Sequence, residues 1–308
     1  MSDKTDFLGL VLRGMAMGAA DVVPGVSGGT IAFITGIYDR LLNSLRSFSP
    51  TLLLLLKNEG IGACWKKVDG NFLVCVFGGI LISILSFAHL ISYLLAEFPV
   101  LIWSFFFGLI LVSGLHMVRQ VSQYSITGGI LFVLAAVAAY MIGTLTPASL
   151  DPTPLMLFFA GSIAICAMIL PGISGSFLLL LMGLYATVLQ AVKTLDLVVL
   201  TIFASGCVVG LLSFSHVLSW LLRKHRDLAL SLLTGLMMGA LGKVWPWKQT
   251  LETRVNSSGE EVPFLEMNVS PFNYESLTGE PAFFLPGLLL MGAAIVMFLA
   301  IEWFGKRR

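Results

Sequence analysis

Two long apolar stretches, roughly residues 7–46 and 154–192, are each interrupted in the middle by Pro-Gly. Proline removes a helical N–H and glycine loosens the backbone, so neither stretch can run as one unbroken helix. Non-helical backbone at membrane depth survives only where protein buries it or where it lines a wet cavity. The membrane follows from composition: of 308 residues, 57% are hydrophobic and 11% charged, against about 25% charged in an ordinary soluble domain. So few polar groups exclude a cytosolic enzyme and a disordered chain. Barrel strands are disfavoured too, because no ten-residue units of dyad alternation occur. A net charge of +1 suggests no nucleic-acid partner.

Six further segments, roughly 71–96, 99–118, 126–145, 197–222, 227–243 and 283–304, approach the ~20 apolar residues of a bilayer span. With each broken stretch entering and leaving on one side, 14 of the 18 Lys and Arg fall on the N-terminal side of the membrane. By the positive-inside rule both termini are expected in the cytoplasm. The opposite segment 249–282 has six Glu and one Arg. The opening MSDKTDFLG is mixed in charge, with no small-residue cleavage site, so no removable signal peptide is expected. Cys64, Cys75, Cys166 and Cys207 are scattered and read as packed thiols, with no metal or cofactor expected.

The interruptions are related. Pro24-Gly25-Val26-Ser27-Gly28-Gly29 recurs 147 positions later as Pro171-Gly172-Ile173-Ser174-Gly175-Ser176, with Gly36 and Tyr38 matched by Gly183 and Tyr185. A second block, Ser86-Phe87-Ala88-His89 and Ser92-Tyr93, recurs 127 positions later as Ser213-Phe214-Ser215-His216 and Ser219-Trp220. The difference predicts about 20 extra residues near 52–67, read as an amphipathic surface helix. Ordered blocks of this kind indicate duplication. The expected fold is an all-α polytopic membrane protein of two inverted-topology repeats. Each is a broken re-entrant helical hairpin plus three transmembrane helices, an odd number that turns the second unit upside down. The first repeat is 1–148, with its hairpin at about 7–46. The second is 149–308, with its hairpin at about 154–192 and an outer loop at about 244–282. Many secondary transporters follow this plan, with the substrate near the midplane.

The breaks suggest a chemistry. Pro24 and Pro171 suit the first turn of a new helix. Ser27, Gly28, Gly29 and Thr30 would then offer N–H and hydroxyl donors at a positive helix end, and Ser174, Gly175 and Ser176 would face them, a site for phosphate or carboxylate. The glycines could instead serve only close helix packing; two facing copies favour the anion. Asp21, at the break, either carries a proton or caps free N–H groups. Arg13 either meets the anion or snorkels to the surface. His89 and His216, at equivalent positions, either relay protons or bond neighbouring helices. Arg119, Arg223, Lys224 and Arg226 read as inner-surface charges, with contact to a headgroup as the alternative, and Trp245 and Trp247 as an aromatic belt.

Arg13-Gly14, Gly18, Ala20-Asp21, Pro24 to Thr30 and Gly36-Ile37-Tyr38 resemble the start of the PopT polyprenyl-phosphate transporters, formerly domain of unknown function 368. The resemblance spans nearly the whole chain. It implies a flippase that moves undecaprenyl phosphate from the outer to the inner leaflet of the bacterial inner membrane, recycling the carrier of envelope glycans. Membrane lipids are then its surroundings and partners. No GxxxxGK[ST] sequence occurs, so protons, sodium or the lipid's own gradient would supply the drive. Two alternatives use similar residues. A polyprenyl-diphosphate phosphatase would share Pro171-Gly172-Ile173-Ser174, but Gly175 stands where that family has Arg, and phosphoryl transfer needs acid–base groups that these hairpins lack. A small-anion transporter would use the same helix ends. Neither an enzyme nor a purely structural role is expected.

Overall fold

The computed structural model describes residues 7–22, 27–145, 152–255 and 261–306. In chain order its first half comprises α1 (Phe7–Val22), α2 (Gly28–Ile34), α3 (Tyr38–Arg46), α4 (Pro50–Lys67), α5 (Gly70–Glu97), α6 (Pro99–Arg119) and α7 (Ile126–Thr144). The second comprises α8 (Pro154–Ile169), α9 (Gly175–Leu181), α10 (Tyr185–Thr194), α11 (Leu197–Lys224), α12 (Arg226–Ala240), β1 (Lys248–Val255), β2 (Glu261–Asn268), α13 (Pro271–Thr278) and α14 (Phe284–Lys306). Proline opens α4, α6, α8 and α13, where its missing N–H costs no helical bond.

The sequence offsets carry over to the helix ends. Both ends of α8 lie 147 positions after those of α1, and both ends of α9 lie 147 after those of α2. Both ends of α11 lie 127 after those of α5. Packing matches as well. Gly14 and Gly18 of α1 abut Val76 and Ile80 of α5, so the two helices run parallel. In the second half Gly206 and Gly210 of α11 abut Phe158 and Ser162 of α8, again in parallel. A Cβ at Gly79 would collide with the Val11 carbonyl, and one at the equivalent Gly206 with the Phe158 carbonyl. Small residues let these backbones approach where lipid gives helices no hydrophobic drive to pair. The remaining long helices pair across the halves: α6 packs on α14 through Gly108 against Met291, and α12 on α7 through Gly235 against Phe132.

Each three-helix segment returns to the end at which it starts. Arg40 of α3 binds Asp69, just before α5, at 2.6 and 3.1 Å, and α1 begins level with that same end of α5. α10 leads through Leu195 and Asp196 straight into α11. A second break, besides the Pro-Gly one, divides each segment where Gly36 and Gly183 adopt φ of +72° and +70°; α9 and α10 bend by 114° there. Pro24 and Gly25 lie outside the described residues. Pro171 stops α8 rather than starting α9: it follows the C-cap Leu170, whose extended ψ of 128° suits a residue before proline.

Among the described residues three helices, α6, α7 and α11, are long and apolar enough to cross a membrane, or five spans if the bent pairs α4–α5 and α9–α10 each count as one. Large apolar side chains along α5, α7 and α11, among them Leu81, Leu85, Val133, Leu134, Val208 and Val217, face outward, as lipid contact requires. Other expectations need correction. The span expected over 227–243 is cut short at Ala240, and 15 residues reach only about 22 Å. The surface helix forms at Pro50–Lys67, but Gly60 at φ +80° breaks it.

The fold is also not wholly helical. The segment between α12 and α14 forms an antiparallel β1–β2 pair and α13. Trp247 is buried, not part of a lipid belt; its indole N–H donates to the Ala282 carbonyl at 2.8 Å. Trp245 donates to Val269 at 2.9 Å, and Trp247, Val269 and Tyr274 pack on Val100 at the start of α6. Lys248 is buried against this cluster, its Nζ 3.9 Å from the Trp103 ring centroid and 3.5 Å from Glu266 Oε2. Burial lowers its pKa to about 8 although Glu266 opposes the shift. Below about 8 the ammonium is charged in the folded and the opened segment alike, and its burial cost applies in full. Between about 8 and 10.5 the opened segment binds more protons, so the fold gains stability as pH rises. The protection of β1 and β2 against hydrogen exchange, taken relative to the base-catalysed intrinsic rate, is expected to rise from pH 8 to 10 by up to roughly 3 kcal/mol, and Lys248→Met should abolish that rise.

Candidate functional site

The start of α2 and the start of α3 meet the end of α8 and the turn that follows it. Ser27 caps α2: its hydroxyl accepts from Gly29 N at 3.1 Å and donates to the Met168 carbonyl at 3.1 Å. Thr30 accepts from Gly172 N at 3.0 Å. The Tyr38 hydroxyl donates to the Ile169 carbonyl at 3.0 Å. Ser27, Thr30 and Tyr38 are all buried. α8 must leave its last carbonyls without helical partners, and the first hairpin supplies donors to two of them. Gly29 permits this approach, because a Cβ there would lie 2.7 Å from the Ile169 oxygen. Gly172 adopts φ +87°, and its Cβ would lie 2.8 Å from Met237 Cα of α12.

In the first motif the Gly28 and Gly29 N–H groups are not open in this conformation. Asp21 Oδ1 accepts from Gly28 N at 2.7 Å, so the carboxylate occupies the position expected for an external anion. Gly29 N is taken by Ser27 and Gly172 N by Thr30. The second motif is looser. Ser174 makes no side-chain cap bond to α9; its hydroxyl meets that of Ser176 at 2.9 Å. A small space of about 20 Å3 lies beside Gly172, Ser174 and Phe177, with Lys243 Nζ 4.7 Å above the Phe177 ring.

The structure thus brings Asp21, Ser27, Gly28, Gly29 and Thr30 together, with Ser174, Gly175 and Ser176 one turn of chain beyond the contact. Arg13 is elsewhere: half-buried on α1, eight residues or about 12 Å along the helix from Asp21. His216 stands exposed on α11, its Nδ1 2.7 Å from the Leu212 carbonyl of its own helix. The side chain of His89 lies outside the described residues. No local signal in the sequence connects the Tyr38 hydroxyl to a carbonyl 131 positions away.

A family model described as undecaprenyl phosphate translocase-like matches residues 17–262. Over 308 residues the chain is 56% identical to a protein of Vibrio cholerae serotype O1 named polyprenyl-phosphate transporter, with all of both chains covered. Over 260 residues it is 30% identical to a Staphylococcus aureus protein of the same name, covering 77% of this chain and 85% of that one. No solved structure matches.

Proposed function

Because the chain belongs to the undecaprenyl phosphate translocase-like family, we propose that it is a flippase for undecaprenyl phosphate. It returns the lipid carrier from the outer to the inner leaflet of a bacterial inner membrane, with both termini cytoplasmic. The observation that carries the reading is the contact between the two broken-helix motifs. There the Asp21 carboxylate accepts from Gly28 N, as a carried anion would, while Ser27, Thr30 and Tyr38 tie the first hairpin to the end of α8 and to Gly172 N. The matched helix ends and parallel pairings support two inverted repeats, 1–148 and 149–308, whose hairpins re-enter from opposite faces.

A phosphate head cannot cross hydrocarbon unassisted, whereas its prenyl tail can stay in lipid throughout. The protein therefore needs a polar path for the head alone. In this conformation the motifs close that path. Parting the hairpins exposes Ser27, Gly28, Gly29 and Thr30 on one side and Ser174, Gly175 and Ser176 on the other. Asp21 is then displaced from Gly28 N by the incoming phosphate, and it resumes the hydrogen bond when the phosphate leaves. Such an exchange keeps the buried N–H partnered at every stage, which a low-dielectric site requires. Coupling to a proton is natural at Asp21, because protonation removes the repulsion between carboxylate and phosphate.

The test is reconstitution in vesicles with labelled undecaprenyl phosphate, its diphosphate and a short soluble phosphate, assaying flipping and phosphate release together. Flipping of the monophosphate lipid without release is the expected result. Release from the diphosphate would establish a phosphatase, and movement of the soluble anion alone would discard the lipid. Asp21→Asn is expected to flatten the pH profile of flipping while insertion is unchanged; a profile identical to wild type would remove Asp21 as proton carrier.

A further inference from the structure

Below the contact of the hairpins, at the end of the molecule where α11 turns into α12, lies a cavity of about 280 Å3. Tyr38 and Asn43 of α3, Gln120 just beyond α6, and Ser219 and Arg223 of α11 line it, with Arg226 at the start of α12. We infer that this cavity is a second binding site, for a phosphate group, in which Arg223 and Arg226 hold the anion and Ser219 donates to it. The inference rests on the phosphate-transport reading above and adds a site that the Pro-Gly motifs do not contain.

Three observations carry it. First, Ser219 is 4% exposed and its hydroxyl has no hydrogen-bond partner among the described residues. Ser104, Ser113 and Ser213 satisfy theirs on a preceding carbonyl, whereas Ser83 of α5 is likewise unpartnered but does not line this cavity. A buried hydroxyl left over at a cavity wall is costly unless a ligand or water completes it. Second, among the described residues neither arginine has a carboxylate within ion-pair distance. Asp39 lines the same cavity, so two cations face one anion and an unneutralised positive charge remains. Guanidinium groups suit phosphate because their planar forks donate in pairs. Third, the charge does not come from duplication. At the 127-residue offset the counterparts of Arg223 and Arg226 are Ala96 and Pro99, so the arginine pair has no equivalent in the first half.

The cavity also touches the contact between the hairpins. The Tyr38 side chain lines it, and the hydroxyl of the same residue holds the Ile169 carbonyl. A phosphate seated here has passed the closed motifs or has yet to reach them.

The test uses the full chain in nanodiscs, with labelled undecaprenyl phosphate and labelled inorganic phosphate as separate probes. Arg223→Gln with Arg226→Gln is expected to weaken lipid binding about tenfold or more, as loss of two charge-assisted contacts implies. Ser219→Leu fills the cavity and should act in the same direction. Arg119→Gln with Lys224→Gln removes equal charge at the same end, outside the cavity, and should shift affinity by less than about twofold. Wild-type binding that survives the double arginine change overturns the cavity and leaves the transport reading standing. No lipid binding by the wild type, with inorganic phosphate bound through the arginines, overturns the lipid and keeps a soluble phosphate in the cavity. Binding of neither probe overturns both.

Discussion

Gly172→Val is expected to abolish transport and to cost more than about 3 kcal/mol of stability. Two effects combine at this residue. Its φ of +87° is a conformation that a β-branched residue rarely tolerates, and a Cβ would press on the Met237 backbone at 2.8 Å. Backbone cannot give way as a side-chain tip can. Gly279→Ala separates the two effects, because Gly279 also has a positive φ, +75°, yet has open space around its missing Cβ. That variant should lose only about 1–2 kcal/mol. Thermal unfolding of the detergent-solubilised protein followed by size exclusion reads both. Equal losses would show that strain alone matters and that α12 does not brace the hairpin contact.

The second large effect is expected from unlocking the hairpins. Thr30→Val with Tyr38→Phe leaves Gly172 N and the Ile169 carbonyl without partners. Each orphaned buried group costs about 1–3 kcal/mol, and the pair are close enough to be non-additive. Separation of the hairpins relieves both costs, so the population moves toward the parted state. A cysteine at Ala32, which is 0% exposed, in a background free of native cysteines reports the shift. Its alkylation rate should rise at least about tenfold. An unchanged rate would mean that α1, α5 and the other helix pairs, rather than these hydrogen bonds, hold the motifs together.

Much of the fold was legible because duplication leaves a record that hydropathy alone does not. Pro24 with Pro171, Gly36 with Gly183 and Tyr38 with Tyr185 anticipated helix ends that coincide at the same offset. What local reading missed lies in long-range partnership. The bond from Gly28 N to Asp21 depends on the fold across the Pro-Gly break, which local sequence does not specify. The contacts from Ser27, Thr30 and Tyr38 to the second hairpin join residues 131 to 142 positions apart. The outer strands were hidden for a different reason. Hydropathy registers the segment after Trp247 as polar, whereas two eight-residue runs flank the turn-forming Asn256-Ser257-Ser258-Gly259, a hairpin signal. Trp247 read as a belt residue because its position beside apolar helices resembles one, and its burial depends on Tyr274 and Val269 folding over it.

The crossed pairing of the two halves also dictates how the protein can be made. Gly108 of α6 meets Met291 of α14, 183 residues later in the chain. At ribosomal speeds α6 emerges roughly ten to forty seconds before its partner exists. During that interval the face around Gly108 must be held by lipid or by the insertion machinery. A nascent chain that stops before Phe284 strands α6 however well its first half has folded. Quality control therefore has a simple late checkpoint, the arrival of the last helix.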